Sequence, residues 1–588
     1  DLRPPWPEIL RRAAMLEGFP RHLSVHCGGV VLVPDEVSRY VPVQLAAKGV
    51  RIIQWEKDQA EEAGLVKIDL LGNRSLAVIR DSLAAVEENS GTRIVYERFN
   101  PLEDLRTREL VRDGDTIGVF YVESPAMRQL QQKTRCGDFE HLVIHSSLIR
   151  PAANDYIREY VRRLRGGSYT PLHPILDRVL GETYGIMCYQ EDVARVAIEM
   201  AGFDDAEADG LRKVLSKKWA GRRLEDLSER FHAGAARRGI TPRVAGQVWE
   251  MILSFSGYSF CKAHSASYAM VSFKSAYLKA HYPAEFLAAV ISNGGGYYSA
   301  FAYISEARRM GLDILLPDVN ESERRYTGRD RALRVGLMQV KSMREESLAA
   351  IVRERNRAGP FLSFDEFLKR VAIDPSDVKL LIRAGAIDSI AGRATRPDLI
   401  WRLHRWTADR KSRKGEVFFF AADGPAILPR GPRYSPAKVL RDEIKTLGFL
   451  VSRHPLALYR GALAALDHVP AIDLAKHAGK RVRTIGWLIT GKVVETKRGE
   501  PMEFLSFEDT TAIYETTFFP RAYARFCNIL TTTRPFLLEG RVDEDFGAVT
   551  LTVENARLLG ISEGIGKGSN RCPVTQAGAS RPAGMKFG

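Results

Sequence analysis

Apolar and polar positions change their period along the 588 residues. Between 22 and 71 the apolar residues form short, β-branched runs: GGVVLVP (28–34), RIIQW (51–55) and GLVKIDLL (64–71). Runs of this kind between turn residues predict strands. From about 76 to 320 the spacing becomes three and four residues, as in SLAVIRDSLAAVEE (75–88) and AEFLAAVI (284–291), and predicts helices. Residues 330–390 predict short helices broken by Gly-Pro and Asp-Pro, and the polar, basic stretch 394–440 predicts a linker or extended loop. Between 480 and 560 the period falls to two. RVRTIGWLITGKVVETKRG, PMEFLSFEDTTAIYETTFFP and RPFLLEGRVDEDFGAVTLTVENARLL predict about five strands, which suits a small closed barrel of the OB type or another small β domain. The Gly-, Ser-, Ala- and Pro-rich end predicts a disordered tail.

The length predicts about three to five domains. Lys plus Arg number 86 against 72 Asp plus Glu, a net charge of +14. That excess suits DNA, RNA or an anionic membrane surface, or serves solubility alone. No run of about 18 apolar residues predicts a membrane span. The start, DLRPPWPEIL, carries neither a secretory signal pattern nor an initiator Met, as expected of a chain that begins inside a longer protein. The six cysteines are dispersed with no C-x-x-C pair, which points away from a disulfide framework or a zinc site and fits a reducing cytoplasm.

Several runs carry chemistry. Lys67 and Asp69 lie two residues apart on a predicted strand, so both side chains share one face. They read either as a structural ion pair at a strand edge or as a working pair. The run at 256–286 gathers Lys262, His264, Ser265, Tyr268, Lys274 and Lys279. Cations, hydroxyls and aromatics together suit a nucleoside triphosphate and stacked bases, or are partly solvated helix positions. In LRKVLSKKWAGRR (211–223), Arg212, Lys213, Lys217 and Lys218 suit phosphates or form a solvated basic surface. Asp113-Gly-Asp115 reads as a turn leading into a strand, TIGVFYVES, rather than a metal site. In the barrel region, alternation places Trp487 with Arg481 and Arg483. It is predicted to be partly exposed and to stack on bases, with a core position as the alternative where the strand bulges.

These runs, together with HLSVHCGGVVLVP (22–34), GDTIGVFYVESPAMRQL (114–130), YGIMCYQEDV (184–193), GYSFCKAHSASYA (257–269), LLIRAGAIDSI (380–390) and TLGFLVSRHPL (446–456), resemble the alpha subunits of bacterial DNA polymerase III, the C-family DNA polymerases. The wording around IDLLGNRSLAVIRD and VESPAM is closer to the error-prone branch. The resemblance implies a multidomain α+β fold. Residues 1–21 would end the thumb, 22–74 form the C-terminal part of a nucleotidyltransferase-like palm, and 75–325 form a large helical fingers domain. Residues 326–460 would hold a helix-hairpin-helix and clamp-binding region with a linker, 478–562 an OB fold, and 563–588 a disordered tail. The implied function is that of a cytoplasmic DNA-directed DNA polymerase using two Mg²⁺ ions. The implied partners are primer–template DNA, deoxynucleoside triphosphates, a sliding clamp and other polymerase III subunits, with no membrane. Asp69 matches a metal-holding palm carboxylate, and Lys67 the basic residue beside it. Arg212, Lys213, Lys217, Lys218, Lys262, His264, Ser265 and Tyr268 match the nucleotide pocket of the fingers. Arg150, Lys274, Lys279, Trp487 and Lys497 are the expected DNA contacts.

The departures shape the expectation further. The family's proline-led D-x-D strand, which bears two further palm carboxylates, is not found before residue 22. The chain is therefore expected to be the C-terminal portion of a polymerase and inactive alone. A non-catalytic DNA-binding or sliding-clamp-binding module is the alternative. VKSMREESLAA (340–350) lacks the glycine of the first hairpin, whereas GAIDSI (385–390) keeps the second. The run Glu416–Phe420 begins with Glu where a clamp peptide begins with Gln, and reads as a clamp motif or a buried anchor.

Overall fold

The computed structural model describes residues 3–19, 24–70, 72–149, 154–216, 221–254, 261–412, 431–496, 498–532 and 534–560. Arg150, Lys217, Lys218, Lys497, the Glu416–Phe420 run and the 563–588 tail lie outside the described residues. The chain forms two compact units, Asp1–Ala77 and Val78–Gly588.

The first unit carries the strands predicted from its β-branched runs. Gly29–Leu32 pairs antiparallel with Val66–Asp69, and Val43–Leu45 with Arg51–Ile53. A helix, Trp6–Met15, precedes them, and a short one, Lys57–Glu62, lies between the two pairs in sequence. Its interior is thin: among the described residues only Val41 and Ala60 are buried apolar side chains.

The second unit is helical as far as Arg309. One core surrounds helix Lys262–His281, in which Ala269, Phe273, Ala276 and Leu278 are fully buried. A second core is closed by Gln190–Ala201, Asp205–Ser216, Gly221–Arg237 and Pro242–Leu253. A third packs Glu345–Ala358, Phe364–Arg370, Pro375–Ala384 and Arg396–Ser412 around Phe361, Phe364 and Phe367. The caps follow local chemistry. Asp374 accepts the Ser376 N–H at the start of Pro375–Ala384, and Gly385 ends that helix with φ 85°.

Three expectations change. TIGVFYVES is a series of turns and not a strand, because the Thr116 hydroxyl donates to the Val122 carbonyl at 2.6 Å and folds the run on itself. Residues 396–412 form a helix where a linker was expected. Leu399 and Leu403 enter the third core, and packing outweighs the polar remainder of that helix. Pro436–Leu447 is helical too. The missing hairpin glycine does not abolish the turn at 340–344, for Ser342 adopts φ 63°, a left-handed conformation usually left to glycine.

The last five strands close as the period of two predicts. Arg481–Glu495, Pro501–Glu508 and Ile513–Phe518 follow one another antiparallel. Ile513–Phe518 pairs parallel with Ala548–Leu558, which pairs with Phe536–Asp545, which returns to the first strand. Helix Pro520–Phe526 joins the third strand to the fourth. This is a closed five-stranded barrel of the OB type.

A buried charged cluster joins the barrel to the helices. Lys279 Nζ donates to the Asp115 carbonyl at 2.6 Å and pairs with Glu306 at 2.7 Å. Arg309 bridges Glu306 at 3.0 Å and Glu508 of the second barrel strand at 2.8 Å. The Ser305 hydroxyl donates to Glu508, and His454 Nε2 lies 3.0 Å from it. Burial by itself would raise the Glu306 carboxyl, but Lys279 and Arg309 outweigh it and bring it down to about 2 from 4.5. A depressed carboxyl contributes stability that is present above its unfolded pKa and is lost as pH falls through the folded one. Urea unfolding at stepped pH should therefore show stability falling between about pH 4.5 and 2. Lys279→Met should lower stability at neutral pH by about 3–5 kcal/mol, because it leaves a buried charge undercompensated. It should also flatten the acid limb.

Candidate functional site

In the first unit, Asp69 stands opposite Gly29 and Lys67 opposite Val31. Lys67 Nζ donates to both Asp69 oxygens, at 2.7 and 2.8 Å, so the shared face predicted from the spacing is realised as an ion pair. That hydrogen bond holds the Asp69 carboxyl below its usual range. His26 Nδ1 accepts the backbone N–H groups of Gly28 and Gly29 at 3.1 and 2.6 Å and lies 3.9 Å from Asp69. With that nitrogen accepting, His26 is not bonded to Asp69 through it. Magnesium takes oxygen ligands, a carboxylate or two beside substrate phosphates. Here the donor set is one carboxylate with both oxygens on an ammonium, and no group of three metal-ligating side chains among the described residues includes it. These residues alone do not fit a two-magnesium centre.

In the second unit two of the expected nucleotide-pocket cations each reach the start of one helix. Asp192, the third residue of helix Gln190–Ala201, reaches back to accept the N–H groups of Cys188 and Tyr189. Arg212, from helix Asp205–Ser216, reaches Gln190 Oε1 at 2.9 Å and is held from behind by Asp209 at 2.7 Å. Lys262, the first residue of helix Lys262–His281, donates its backbone N–H to Glu191, pairs with Glu182 at 2.6 Å and lies 5.5 Å from the Tyr189 ring centre. Lys213 also pairs with Asp209, at 2.7 Å, and is exposed. Two cations thus flank the positive end of a helix dipole, the arrangement that takes phosphate oxygens.

His264 and Tyr268 face elsewhere. Residues two apart on a helix diverge by about 200°. The His264 ring lies 4.1 Å from that of Tyr268, which in turn meets Phe120 and Tyr121, each at 5.1 Å. Ser265 is fully buried and shares a 2.6 Å hydrogen bond with Ser147, so it ties two helices together and offers nothing to a ligand.

Two residues here were missed by sequence reasoning. Tyr121 holds φ 66°, a strained conformation for an aromatic residue. Its hydroxyl is pushed up to about 12 by burial and by Tyr268, and stays neutral. Glu123 is buried and accepts from the Gly118 N–H at 2.8 Å, the Tyr303 hydroxyl at 3.1 Å and the Tyr297 N–H. Burial raises its carboxyl against those bonds. The signal was an acid inside the apolar run IGVFYVES.

Two expected DNA contacts, Lys274 and Lys279, are corrected, while Trp487 is partly exposed as expected. Lys279 is buried in the charged cluster described above. Lys274 is also buried; its Nζ donates to the Tyr96 carbonyl at 2.7 Å and lies 3.8 Å from the Tyr96 ring centre. Neither reaches solvent to meet a phosphate. Trp487 shares the side of Arg481 and Arg483, but that side is covered beyond residue 484. Leu456, Tyr459 and Ile485 pack there, and Trp487 lies half-buried against them, with the Phe301 ring 6.4 Å away. Phe504, 46% exposed and paired across the ladder with Lys492, is an open aromatic of the barrel.

Comparison with known proteins bears on these sites. Residues 3–72 match a family model described as the bacterial DNA polymerase III alpha NTPase domain, and residues 75–239 one described as the bacterial DNA polymerase III alpha subunit finger domain. Residues 311–396 match a helix-hairpin-helix motif. The chain is 34% identical over 562 residues to the DNA polymerase III subunit alpha of Thermus aquaticus, covering 91% of this chain and 45% of that protein. It is 32% identical over 610 residues to the error-prone DNA polymerase of Symbiobacterium thermophilum, covering 94% and 55%. An error-prone DNA polymerase of Corynebacterium efficiens is 31% identical over 573 residues. The chain spans about half the length of the curated relatives it matches.

Phe504→Ala should weaken binding of a single-stranded oligonucleotide by about 1–3 kcal/mol, the worth of one stacked base. Trp487→Ala should leave that affinity near wild type and lower the unfolding midpoint instead. Fluorescence anisotropy with a labelled oligonucleotide, beside thermal unfolding, separates the two. Equal losses of affinity would return Trp487 to the binding surface.

Proposed function

We propose, for a chain that belongs to the bacterial DNA polymerase III alpha family, that it takes part in template-directed DNA synthesis from deoxynucleoside triphosphates. Residues 22–74 are the palm portion, 75–325 the fingers, 326–460 the helix-hairpin-helix and clamp-binding region, and 478–562 a barrel for single-stranded template. The observation that carries this reading is that Arg212 and Lys262, from different helices, each contact the first residues of helix Gln190–Ala201. Both cations already rest on carboxylates, Asp209 and Glu182. An entering triphosphate exchanges those partners for phosphate oxygens, so the guanidinium and ammonium are pre-positioned without being left bare in water. Tyr268, buttressed by Tyr121, supports His264 beside the sugar and base. Lys67 neutralises Asp69 until a stronger cation competes for it.

Magnesium dependence comes with the family, with Asp69 as one ligand of a larger set. The sliding clamp and other polymerase III subunits belong to the same proposal, with Glu416–Phe420 as the clamp peptide.

A second reading is favoured by the single carboxylate at the Lys67–Asp69 pair: by itself this chain is a DNA-binding module that does not extend a primer. Primer extension with the 588-residue chain decides between the two. Template-dependent incorporation would establish the catalytic reading for this chain; binding without incorporation is the expected outcome.

Affinity for duplex DNA should fall steeply with salt, with a log–log slope of about −0.9 for each phosphate neutralised. A flat salt response would count against a DNA-binding role. Binding of a fluorescent deoxynucleoside triphosphate tests the pocket directly. Arg212→Gln and Lys262→Gln should each weaken it by about 1.5–3 kcal/mol, the worth of a hydrogen bond to a charged group. Unchanged affinity in both would remove the pocket from this end of the helix.

A further inference from the structure

The elbow between helices Pro125–Thr134 and Phe139–Leu148 brings a thiol, a carboxylate and an imidazole together. Arg135 ends the first helix at φ 57°, in the left-handed region. Gly137 lies so close to the Arg108 carbonyl that a Cβ there would collide with it. The turn therefore has little freedom, and it fixes a C-x-D-x-x-H spacing across residues 136–141. One ligand atom each from Cys136, Asp138 and His141 falls within 4.8 Å of the others, and no other such trio exists among the described residues.

We propose that Cys136, Asp138 and His141 form a binding site for a divalent transition-metal ion of the zinc class, with three protein ligands and a fourth position open to water. Thiolate, imidazole and carboxylate form a borderline-soft set, which favours zinc or cobalt and disfavours magnesium. Metal–ligand bonds of about 2.0–2.3 Å place tetrahedral ligand atoms about 3.3–3.8 Å apart, inside the 4.8 Å within which the three atoms lie. All three residues are only half-buried, which leaves an entry path.

The existing contacts already draw the trio together. Asp138 caps its helix by accepting the His141 N–H at 3.0 Å, and its oxygens hold His141 Nδ1 at 2.7 and 2.9 Å. The cap and the ion pair join two of the three side chains, and the thiol meets the same imidazole, so all three converge on His141. Cys136 Sγ makes a weak bond to the Thr134 carbonyl at 3.6 Å and also interacts with the His141 side chain. Behind the trio, the fully buried His145 stands with its ring 6.1 Å from that of His141 and its Nε2 without a partner.

Binding releases the Cys136 thiol proton and the proton shared by His141 and Asp138 to solvent, and no electron changes hands. The ion would clip the elbow shut. Helix Phe139–Leu148 carries Ser147, whose hydroxyl meets Ser265 of helix Lys262–His281, so the clip would stiffen the anchor of that helix. The dispersed cysteines concealed such a site, because a mixed ligand set leaves no C-x-x-C signature.

The test uses the full chain, stripped by a chelator and titrated with Co²⁺ in excess Mg²⁺. One equivalent should bring up a thiolate-to-cobalt charge-transfer band with tetrahedral d–d bands, which Zn²⁺ removes and Mg²⁺ does not. Zn²⁺ should also raise the unfolding temperature. Cys136→Ser and His141→Gln should each abolish the bands. Asp138→Asn, which keeps the helix cap, should weaken cobalt binding at least tenfold. Circular dichroism of the metal-free variants checks that each has folded, and Cys136 can be replaced without removing a cap or an ion pair. Absence of the bands, their survival in Cys136→Ser, or full affinity in Asp138→Asn would overturn the proposal.

Discussion

The arrangement of the second unit depends on one buried ammonium. Lys279 has water on no side, and its ammonium donates to a backbone carbonyl and to a carboxylate. An ammonium removed from water costs several kcal/mol unless such partners replace its hydration. Glu306 meets that need, and Arg309 shares Glu306 with Glu508 of the barrel. The turn at 113–116, helix Lys262–His281, helix Ala300–Arg309, the segment at 454 and the barrel therefore hold one another by charge as well as by apolar contact. A network of this kind fixes geometry more than it adds stability, because its charges tolerate few alternative positions.

That constraint explains why the candidate pocket can be built from separate elements. Helix Lys262–His281 is clamped at its C-terminal end, and so its first turn is a fixed platform for Lys262 and His264. The platform has two sides. Lys262 turns toward Gln190–Ala201, where Arg212 arrives from another helix, and His264 turns toward the turns at 118–124. Glu123 pins those turns from beneath, and Tyr121 carries the strain of φ 66° against Tyr268. Backbone strain of this size, of order 1–3 kcal/mol, persists only where surrounding contacts outweigh it.

The sequence was informative where a residue's role followed from its own period. The barrel strands were legible because alternation along Arg481–Glu495 and Phe536–Asp545 is imposed by one buried face. The Lys67–Asp69 contact was legible because a spacing of two on a strand leaves no other geometry. Helix Arg396–Ser412 was not, since Leu399, Ile400, Leu403 and Trp406 pack on distant residues of the third core while the basic residues among them hide that spacing. Trp487 shows the same limit. Its side of the strand was read correctly, but alternation cannot tell that residues 456–466 cover that side.

Lys274 and Lys279 carry the lesson to the positive charge itself. A lysine in a basic, helical run is ordinarily a surface group, and a net charge of +14 invites the assignment of every such group to a polyanion. Helix Lys262–His281 divides its lysines instead. The one at the exposed first turn rests on a carboxylate, Glu182, which itself stays in water. The two deeper ones are consumed by carbonyls, an aromatic face and Glu306. An exposed pair gives up little when a phosphate replaces the carboxylate, since both partners remain hydrated. Release of a buried ammonium would require the core to open. Exposure of the paired carboxylate, rather than the number of lysines, thus decides which cations of this helix can exchange partners with a nucleotide.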